Sequence, residues 1–464
     1  MTLSRLQCVS LIGLEALPVE VEVDLVKSDL LSLVIVGLPD NAVRESKDRV
    51  LTAVKNSGFP VGFFRCIVNL APSDLKKEGV LYDLPIALGL IHSLELLKEK
   101  TALEDYMFVG ELALSGHLRP LTGALAIALL AKQQGRKGLL LPLANAQEAA
   151  YVTGLPVYGI SHLKEAVQFL NQPNEFKPVT TQSFETQRKN HPLTVDFADV
   201  KGQAHVKRAM EIAAAGNHNI VLSGPPGCGK TLMAKALIGI MPDLTLDEAL
   251  EVTKIHSIAG LLPEGKHLMS QRPFRSPHHT ISYAGLIGGG SYPRPGEVSL
   301  AHNGVLFLDE LPEFSRPVLE VLRQPLEDKK VTISRAHGHL TFPTNILCIA
   351  AMNPCPCGYL GHPEKPCKDS GLQIERYRSK VSGPLWDRLD IHIDVHPLRY
   401  EELSNQTQNE QSSFIRERVI ECRNIQYQRL GNGRSNALMT PSEMKKYCLL
   451  DEGSWSIFQM AISQ

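Results

Sequence analysis

The chain has 464 residues, a length that predicts about three domains, each large enough to bury a hydrophobic core. Its formal net charge of -1 excludes a strong overall field for nucleic acid, so any contact with DNA must come from local clusters of cations. The chain shows no leader and no run of about 18 apolar residues, and its 9 cysteines favour reduced thiols, which together predict a cytoplasmic protein without a membrane partner.

Residues 1–170 are rich in apolar residues and predict a mixed α+β or α/β domain. Apolar runs favour strands, and a Gly-Leu-Pro-Asp tetrapeptide favours a turn. In chain order the predicted elements are strands at 19–26 and 31–36, a turn at 37–40, a helix at 41–56 and a strand at 66–70.

Two segments of this domain, residues 76–85 and 110–123, resemble the Lon-protease-type domain. In active members of that family a lysine amine serves as the base for a serine nucleophile. The resemblance places Asp83 near the serine position and Leu125 near the lysine position, and neither side chain can perform that chemistry. We therefore predict a protease fold without protease activity, in which Ser73 and Ser115 are ordinary turn residues.

Residues 171–195 are polar and irregular in composition, which predicts a linker and a hinge between two globular parts. The next segment, residues 199–203, lies where ring-forming ATPases of the AAA+ class commonly hold adenine. A predicted helix at 204–215 leads from it into an apolar strand at 220–222.

A phosphate-binding loop directly follows that strand and precedes a helix-favouring stretch at 232–237. Its eight residues fit the pattern G-x-x-x-x-G-K-[ST]. They are Gly224, Pro225, Pro226, Gly227, Cys228, Gly229, Lys230 and Thr231. The glycines allow backbone N–H groups to face an anion, and the helix adds the positive end of its dipole. We predict that this loop binds ATP, with Lys230 at the β- and γ-phosphates and Thr231 on Mg²⁺.

Three further motifs supply the partners that nucleotide hydrolysis needs. A second apolar run ends in Asp309, predicted to support Mg²⁺, and Glu310, predicted to polarise an attacking water. A third run, 346–351, ends near Asn353, whose side chain can hold that water or a γ-phosphate oxygen. Arg388 is of the kind that stabilises a transferring phosphoryl group. An ion pair with Asp387 or Asp390 is the alternative for this arginine.

Between the phosphate loop and Asp309 lies a long insertion with two segments rich in Gly and Pro, residues 272–279 and 287–297. This composition excludes a regular helix in those segments and predicts a functional loop. His278 and His279 could bind a metal, but we favour loop anchoring or phosphate contact, because adjacent side chains of an extended segment point apart.

A helix capped by Ser315 is predicted at 315–327, and the alternating pattern of residues 329–342 predicts a β-hairpin. Its cations are predicted to contact the phosphate backbone of DNA; they are Lys329, Lys330, Arg335, His337 and His339. A solvated edge hairpin without this role is the alternative.

Three cysteines lie within thirteen residues, with Gly and Pro between them. Cys355, Cys357 and Cys367 have the spacing of a zinc knuckle, which needs a fourth ligand. Asp369 and His362 are the residues near enough to supply it. Three free thiols in a loop are the alternative.

Residues 399–464 are charged and predict helices at 401–430 and 441–464, with a break at 431–434. This pattern fits the small helical lid of AAA+ modules. We expect the lid to be cut short, since no arginine follows Arg434 to act as the second sensor of that class.

Together with the Lon-like segments, four motifs resemble the bacterial magnesium-chelatase-like ATPases of the YifB/ComM family. They are the phosphate loop, Arg-Pro-Phe-Arg-Ser-Pro-His-His, Gly-Val-Leu-Phe-Leu-Asp-Glu-Leu-Pro-Glu-Phe and Ala-Met-Asn-Pro-Cys-Pro-Cys-Gly. The resemblance implies a Lon-protease-like domain at 1–170, a linker at 171–195, an AAA+ P-loop domain with a helix-2 insert and pre-sensor-1 hairpin at 196–398, and a truncated lid at 399–464. The family usually has a second cysteine where Asp369 stands, which counts against zinc.

The resemblance also implies a homo-hexameric ring that hydrolyses ATP with Mg²⁺ at sites shared between subunits. Its expected activity is that of a DNA helicase on single-stranded or branched DNA, promoting branch migration during natural transformation or homologous recombination. The alternatives are the motor subunit of a magnesium chelatase, an ATP-dependent protease and a scaffold that does not hydrolyse ATP. The Lon-like segment argues against the first, Asp83 and Leu125 against the second, and Asp309 with Glu310 against the third.

Overall fold

A computed structural model describes residues 3–77, 79–98, 102–189, 195–263, 265–290, 293–335, 338–397, 409–431 and 433–463. These residues form two α/β units, each with its own sheet and buried core, followed by helices. None of the described helices combines the length and the apolar character needed to cross a lipid bilayer.

The N-terminal unit is built on a seven-stranded sheet. From one edge to the other its strands are Ser32–Val36, Phe64–Ala71, Glu15–Lys27, Ser4–Ile12, Tyr106–Phe108, Gly138–Pro142 and Val157–Ile160. Glu15–Lys27 pairs antiparallel with both of its neighbours, and the remaining pairs are parallel. Along this long strand Val19, Val21 and Val23 are fully buried while the residues between them are half-buried, because side chains alternate between the faces of a sheet.

Helices cover this sheet and enclose the first core. They are Asn41–Asn56, Asp83–Ser93, Ala124–Gln133, Leu143–Ala149 and Leu163–Asn171. The first of them confirms the helix predicted at 41–56, and it begins where the Asp40 carboxylate accepts the N–H of Val43 at 2.8 Å. The mixed α and β character predicted for this region is therefore confirmed.

The two positions aligned with the Lon dyad are buried and hold no serine or lysine. Asp83 is fully buried, its carboxylate binds the Arg49 guanidinium at 2.7 and 3.0 Å, and it accepts the N–H of Leu112 at 3.1 Å. Leu125 is fully buried, and Ser115 is exposed in a turn. The sequence did not predict that Arg49 forms a structural ion pair with Asp83.

We expect Arg49→Ala to lower the stability of the N-terminal domain by about 3 kcal/mol, because a buried carboxylate would lose its counter-ion. Differential scanning calorimetry of the full chain measures the shift. Arg5→Ala is the matched control, since Arg5 pairs with Glu22 at 3.5 Å while half exposed and should cost less than about 1 kcal/mol. The double variant Arg49→Leu/Asp83→Asn removes both charges and should recover most of the loss. An equal shift for the two single variants would contradict this account.

The second unit is built on a five-stranded parallel sheet. Its strands are, in order, Phe274–Arg275, Val305–Leu308, Leu347–Met352, Ile220–Ser223 and Ile391–Asp394. The central three are buried on both faces, which explains why each appears in the sequence as a continuous apolar run. Ala204–Gly216, Lys230–Ile240 and Ser412–Leu430 pack on one another beside this sheet.

The structure shows the predicted hairpin, and two helices flank or separate the Gly/Pro-rich segments of the insertion. A helix, Leu246–Ala259, precedes the first Gly/Pro-rich segment, and a short helix, Tyr283–Ile287, lies between the two segments. Lys330–Arg335 pairs antiparallel with Gly338–Pro343, which confirms the predicted hairpin.

The prediction of one helix at 315–327 was wrong. The chain forms two short helices instead, Arg316–Glu320 and Arg323–Asp328, because Pro325 has no N–H to donate to a continuous helix.

The last helices are Pro441–Tyr447 and Glu452–Ser463, and Ser412–Leu430 ends at Gly431, where a break was predicted. Residues 401–408 of the predicted helix lie outside the described part of the chain. Arg434 pairs with Glu443 at 2.7 Å, within this helical segment.

The two units form hydrogen bonds with each other, and these bonds restrict movement at the hinge predicted between them. Ser257, on the helix Leu246–Ala259, accepts the N–H of Gly123 at 2.8 Å and donates its hydroxyl to the buried carboxylate of Glu148. The predicted linker also packs: Phe176 and Val179 lie against the first core, and the Val179 N–H donates to Val157 at 2.8 Å. A displacement of the helix Leu246–Ala259, which lies in the insertion, would therefore disturb these hydrogen bonds to the N-terminal unit.

Candidate nucleotide-binding site

The predicted phosphate loop connects the strand Ile220–Ser223 to the helix Lys230–Ile240 at the carboxyl edge of the parallel sheet. Gly227 and Gly229 have φ of 81° and 88°, a left-handed conformation that favours glycine. The backbone N–H groups at the start of the helix have no partner within the helix and can donate hydrogen bonds to an anion bound there.

Lys230 is half-buried, and its ammonium is bound by oxygens of the loop and of Asn353. Its ammonium donates to the backbone oxygens of Gly224 at 2.5 Å and Pro225 at 3.0 Å, and to the side-chain oxygen of Asn353 at 3.2 Å. Burial lowers the pKa of this amine from its ordinary value, with nearby Asp309 acting in the opposite direction. A bound phosphate would supply the charge that these neutral oxygens lack.

Thr231 and the two acids lie on the other side of the loop. The Thr231 hydroxyl donates to Asp309 at 3.0 Å, and the second oxygen of Asp309 accepts the N–H of Glu310 at 3.0 Å. Hydroxyl and carboxylate oxygens are the ligands that Mg²⁺ prefers, so these two side chains fit the predicted cation site. Glu310 has φ of 53°, an unusual conformation for a residue other than glycine, and its side chain is exposed.

Most of the predicted nucleotide-binding residues line one cavity of about 360 Å³. Lys230, Thr231, Asp309, Glu310 and Asn353 all line it, together with the loop residues Pro226, Gly227, Cys228 and Gly229, and with Leu232 and Met352. The structure thus brings together five residues that the sequence placed on three separate strands and loops.

His279, for which loop anchoring or phosphate contact was predicted, also reaches this site, but its contact with Glu310 was not predicted. Its ring nitrogen lies 3.4 Å from the Glu310 carboxylate, and its ring centroid lies 4.1 Å from that of His278. The prediction that the two histidine side chains point apart was wrong, because the pair does not lie in an extended segment: the Ile281 N–H donates to the His278 carbonyl at 2.9 Å and closes a turn that contains His279. A loop histidine carries no local signal for a contact with a glutamate about thirty positions later.

Arg388 does not line the cavity of its own chain. Its guanidinium binds the carboxylate of Glu327 and donates to the Pro384 carbonyl at 2.7 Å. The expected alternative partners, Asp387 and Asp390, are not those it contacts. Arg388 instead lines a separate surface groove of about 360 Å³, and its side chain is 23% exposed.

The predicted DNA contacts divide between exposed and buried positions. Lys330 and His339 are exposed on the hairpin, and the His339 ring binds the Ser334 hydroxyl at 2.8 Å. Lys329 is half-buried near Asp390, and burial lowers the pKa of its amine, so it is poorly placed to contact phosphate. The Arg335 side chain and all of His337 lie outside the described residues.

The cysteines predicted as zinc ligands lie together directly after Asn353. Cys355 is buried, and Cys357 and Cys367 are half-buried. Asp369 completes a group of four ligand atoms that all lie within 4.8 Å of one another. His362 is not part of this group.

A parallel sheet in which one internal strand ends in a phosphate loop, the next ends before an amide and the one after it ends before an acidic pair defines a P-loop NTPase of the AAA+ class. The competence protein ComM of Haemophilus influenzae is 41% identical over 455 residues, which cover 97% of this chain and 88% of that protein. The YifB protein of Escherichia coli is 40% identical over 97% of this chain and 87% of its own length. The chain belongs to the magnesium-chelatase-like family of YifB and ComM proteins, as the sequence motifs predicted.

Three family models match consecutive parts of the chain. Magnesium chelatase, subunit ChlI, matches residues 196–403; Subunit ChlI of Mg-chelatase matches 21–145; and Magnesium chelatase, subunit ChlI C-terminal, matches 409–464. Lon protease 2 of Bacillus subtilis is 30% identical over 155 residues, which cover 30% of this chain and 27% of the protease. The likeness to Lon proteases is thus a partial one.

Proposed function

We propose that this protein is an ATP-hydrolysing, homo-hexameric ring motor that acts on single-stranded or branched DNA, as a helicase promoting branch migration in natural transformation or homologous recombination. Membership of an AAA+ family indicates ATPase activity, and the similarity to a competence protein supports a competence-related function. The observation that carries the proposal is the convergence of Lys230, Thr231, Asp309, Glu310 and Asn353 on one cavity.

In this proposal the residues that line the cavity have separate roles in ATP hydrolysis. Lys230 would exchange its backbone oxygen partners for the β- and γ-phosphates, and Thr231 with Asp309 would hold Mg²⁺, which would neutralise phosphate charge. Glu310 accepts a proton from the attacking water, and Asn353 orients that water or a γ-phosphate oxygen. Asn353 already contacts Lys230, so phosphate binding would release its oxygen.

Arg388 is proposed to complete the site of a neighbouring subunit. It cannot serve the cavity of its own chain in this arrangement, yet it lies in an open groove with an exposed carboxylate as its partner. An arginine delivered between subunits makes hydrolysis depend on assembly.

The insertion would transmit DNA binding to hydrolysis through His279. We place the helix-2 insert at the segment around Leu246–Ala259 and Tyr283–Ile287, and the pre-sensor-1 hairpin at Lys330–Pro343. His279 belongs to this insertion and contacts Glu310 at 3.4 Å, so a displacement of the loop by DNA would change the surroundings of the general base.

We expect forked DNA to stimulate ATP turnover, and nucleotide to produce an assembly with the mass of six chains. The variant Lys330→Ala/His339→Ala should bind the fork roughly tenfold more weakly and with a smaller dependence on salt, because two phosphate contacts disappear. Lys164→Ala removes an exposed cation from the N-terminal unit and is the control that should bind as wild type. A protein that stays monomeric with nucleotide and responds to no nucleic acid would exclude the proposal.

A chelatase motor subunit is the second candidate, favoured by the three family descriptions. The model that covers residues 21–145 carries a chelatase description, so the Lon-like segment does not by itself argue against this function. Stimulation of ATP turnover by a porphyrin-binding partner, and not by forked DNA, would establish it. A protease is disfavoured, because Asp83 is tied to Arg49 and Leu125 is apolar.

A further inference from the structure

The cysteine group has the dimensions of a tetrahedral metal site. The Sγ atoms of Cys355, Cys357 and Cys367 are separated by 3.4, 3.6 and 3.6 Å, and Oδ2 of Asp369 lies 3.7 Å from Sγ of Cys367. Zinc–sulfur bonds of about 2.3 Å at tetrahedral angles place sulfur atoms roughly 3.8 Å apart. A disulfide would require about 2.05 Å, so the sulfurs are not bonded to one another.

The surrounding chain supplies a second, independent indication. Residues 353–370 contain no helix or strand, and loops longer than about 15 residues without secondary structure are uncommon in compact domains. The three thiols and the carboxylate join the two ends of this loop. A metal cross-link would provide the stabilisation that the loop lacks in hydrogen-bonded structure.

We propose that Cys355, Cys357, Cys367 and Asp369 together bind one Zn²⁺ ion. Asp369 is the fourth ligand, and its Oδ2 is oriented by the N–H of Cys357 at 2.8 Å. His362 is not part of the group whose ligand atoms lie within 4.8 Å of one another, and its Nδ1 accepts the N–H groups of Glu364 and Lys365, each at 3.1 Å. A carboxylate oxygen is an ordinary zinc ligand, so replacing a cysteine by Asp369 preserves a complete ligand set.

The ion would hold the loop against the nucleotide site. Cys355 lies two residues after Asn353, and Gly358, with φ of 82°, lies so close to the phosphate loop that a Cβ atom there would stand 2.8 Å from Pro226. Arg378 donates to the Pro354 carbonyl at 3.3 Å from the opposite side. The zinc site thus fixes the segment that carries Asn353, and its ligands are positioning residues for that amide.

The first test measures zinc in the full-length protein, purified without a metal-affinity step, by inductively coupled plasma mass spectrometry. We expect one zinc per chain in wild type and at least a tenfold lower content in Cys367→Ser. Cys422→Ser is the matched control, because Cys422 is an exposed free cysteine outside the group, and it should retain the full content. Wild type that carries no zinc and takes up none from solution, or Cys367→Ser with a full content, would overturn the proposal.

The second test addresses the ligand set and does not depend on ATP turnover. Co²⁺ introduced in place of Zn²⁺ should give thiolate charge-transfer absorption and the visible bands of a tetrahedral ion. Asp369→Cys should keep one ion and strengthen the charge-transfer absorption, whereas Asp369→Ala should lose the ion to a chelator at least tenfold more readily. Equal retention by Asp369→Ala and wild type would remove Asp369 from the set.

Discussion

Glu310→Gln will lower steady-state ATP turnover by at least about 100-fold while leaving nucleotide binding intact, because an amide cannot accept the proton of the attacking water. The substituted side chain is nearly isosteric, and Lys230, Thr231 and Asp309 retain the contacts through which the nucleotide would bind. Turnover is measured by phosphate release, and binding by titration with a fluorescent ATP analogue.

Glu313→Gln makes the same chemical change three residues later and serves as the control. Glu313 is exposed and pairs with Lys380 at 3.2 Å, an interaction that contributes little to stability, so its turnover should remain close to wild type. Continued hydrolysis by Glu310→Gln would remove Glu310 from the role of general base.

The candidate site could be predicted from sequence because its residues follow continuous apolar runs. Asp309 and Asn353 each come directly after a strand that is buried on both faces, and the phosphate loop follows a third. The carboxyl ends of parallel strands meet at one edge of a sheet, so these separate motifs had to converge. For these residues, the apolar run that precedes each one in the sequence determines its position at the edge of the sheet.

The remaining features depend on packing between distant segments, which no local pattern encodes. His279 reaches Glu310 through the path of an irregular loop, and Arg388 binds Glu327 instead of the aspartates beside it in sequence. Ser257 joins the insertion helix to Glu148 of the other unit, where a hinge had been predicted. Lys329 looked like an exposed cation, but its place at the end of a helix half-buries it.

Arg388→Ala will assemble into rings but hydrolyse ATP about 10³-fold more slowly than wild type, the usual effect of removing an arginine that stabilises the transferring phosphoryl group. Two roles of Arg388 must be separated, since it also pairs with Glu327 of its own chain. Glu327→Gln abolishes that charge pair and leaves the arginine free. If the arginine acts on a neighbouring site, Glu327→Gln will retain turnover, whereas a purely structural pair would make both variants equally defective.

Mixing two inactive variants tests the shared site directly. In rings assembled from equal amounts of Arg388→Ala and Glu310→Gln chains, about one interface in four will join an intact Glu310 to an intact Arg388, because each partner is drawn with a probability of about one half. Turnover should therefore return to roughly a quarter of wild type if sites act independently. If Arg388 served the cavity of its own chain, every subunit would carry one lesion and the mixture would stay inactive. Recovery in the mixture would therefore require hydrolysis at a site shared between subunits, as we propose from the position of Arg388 outside the cavity of its own chain.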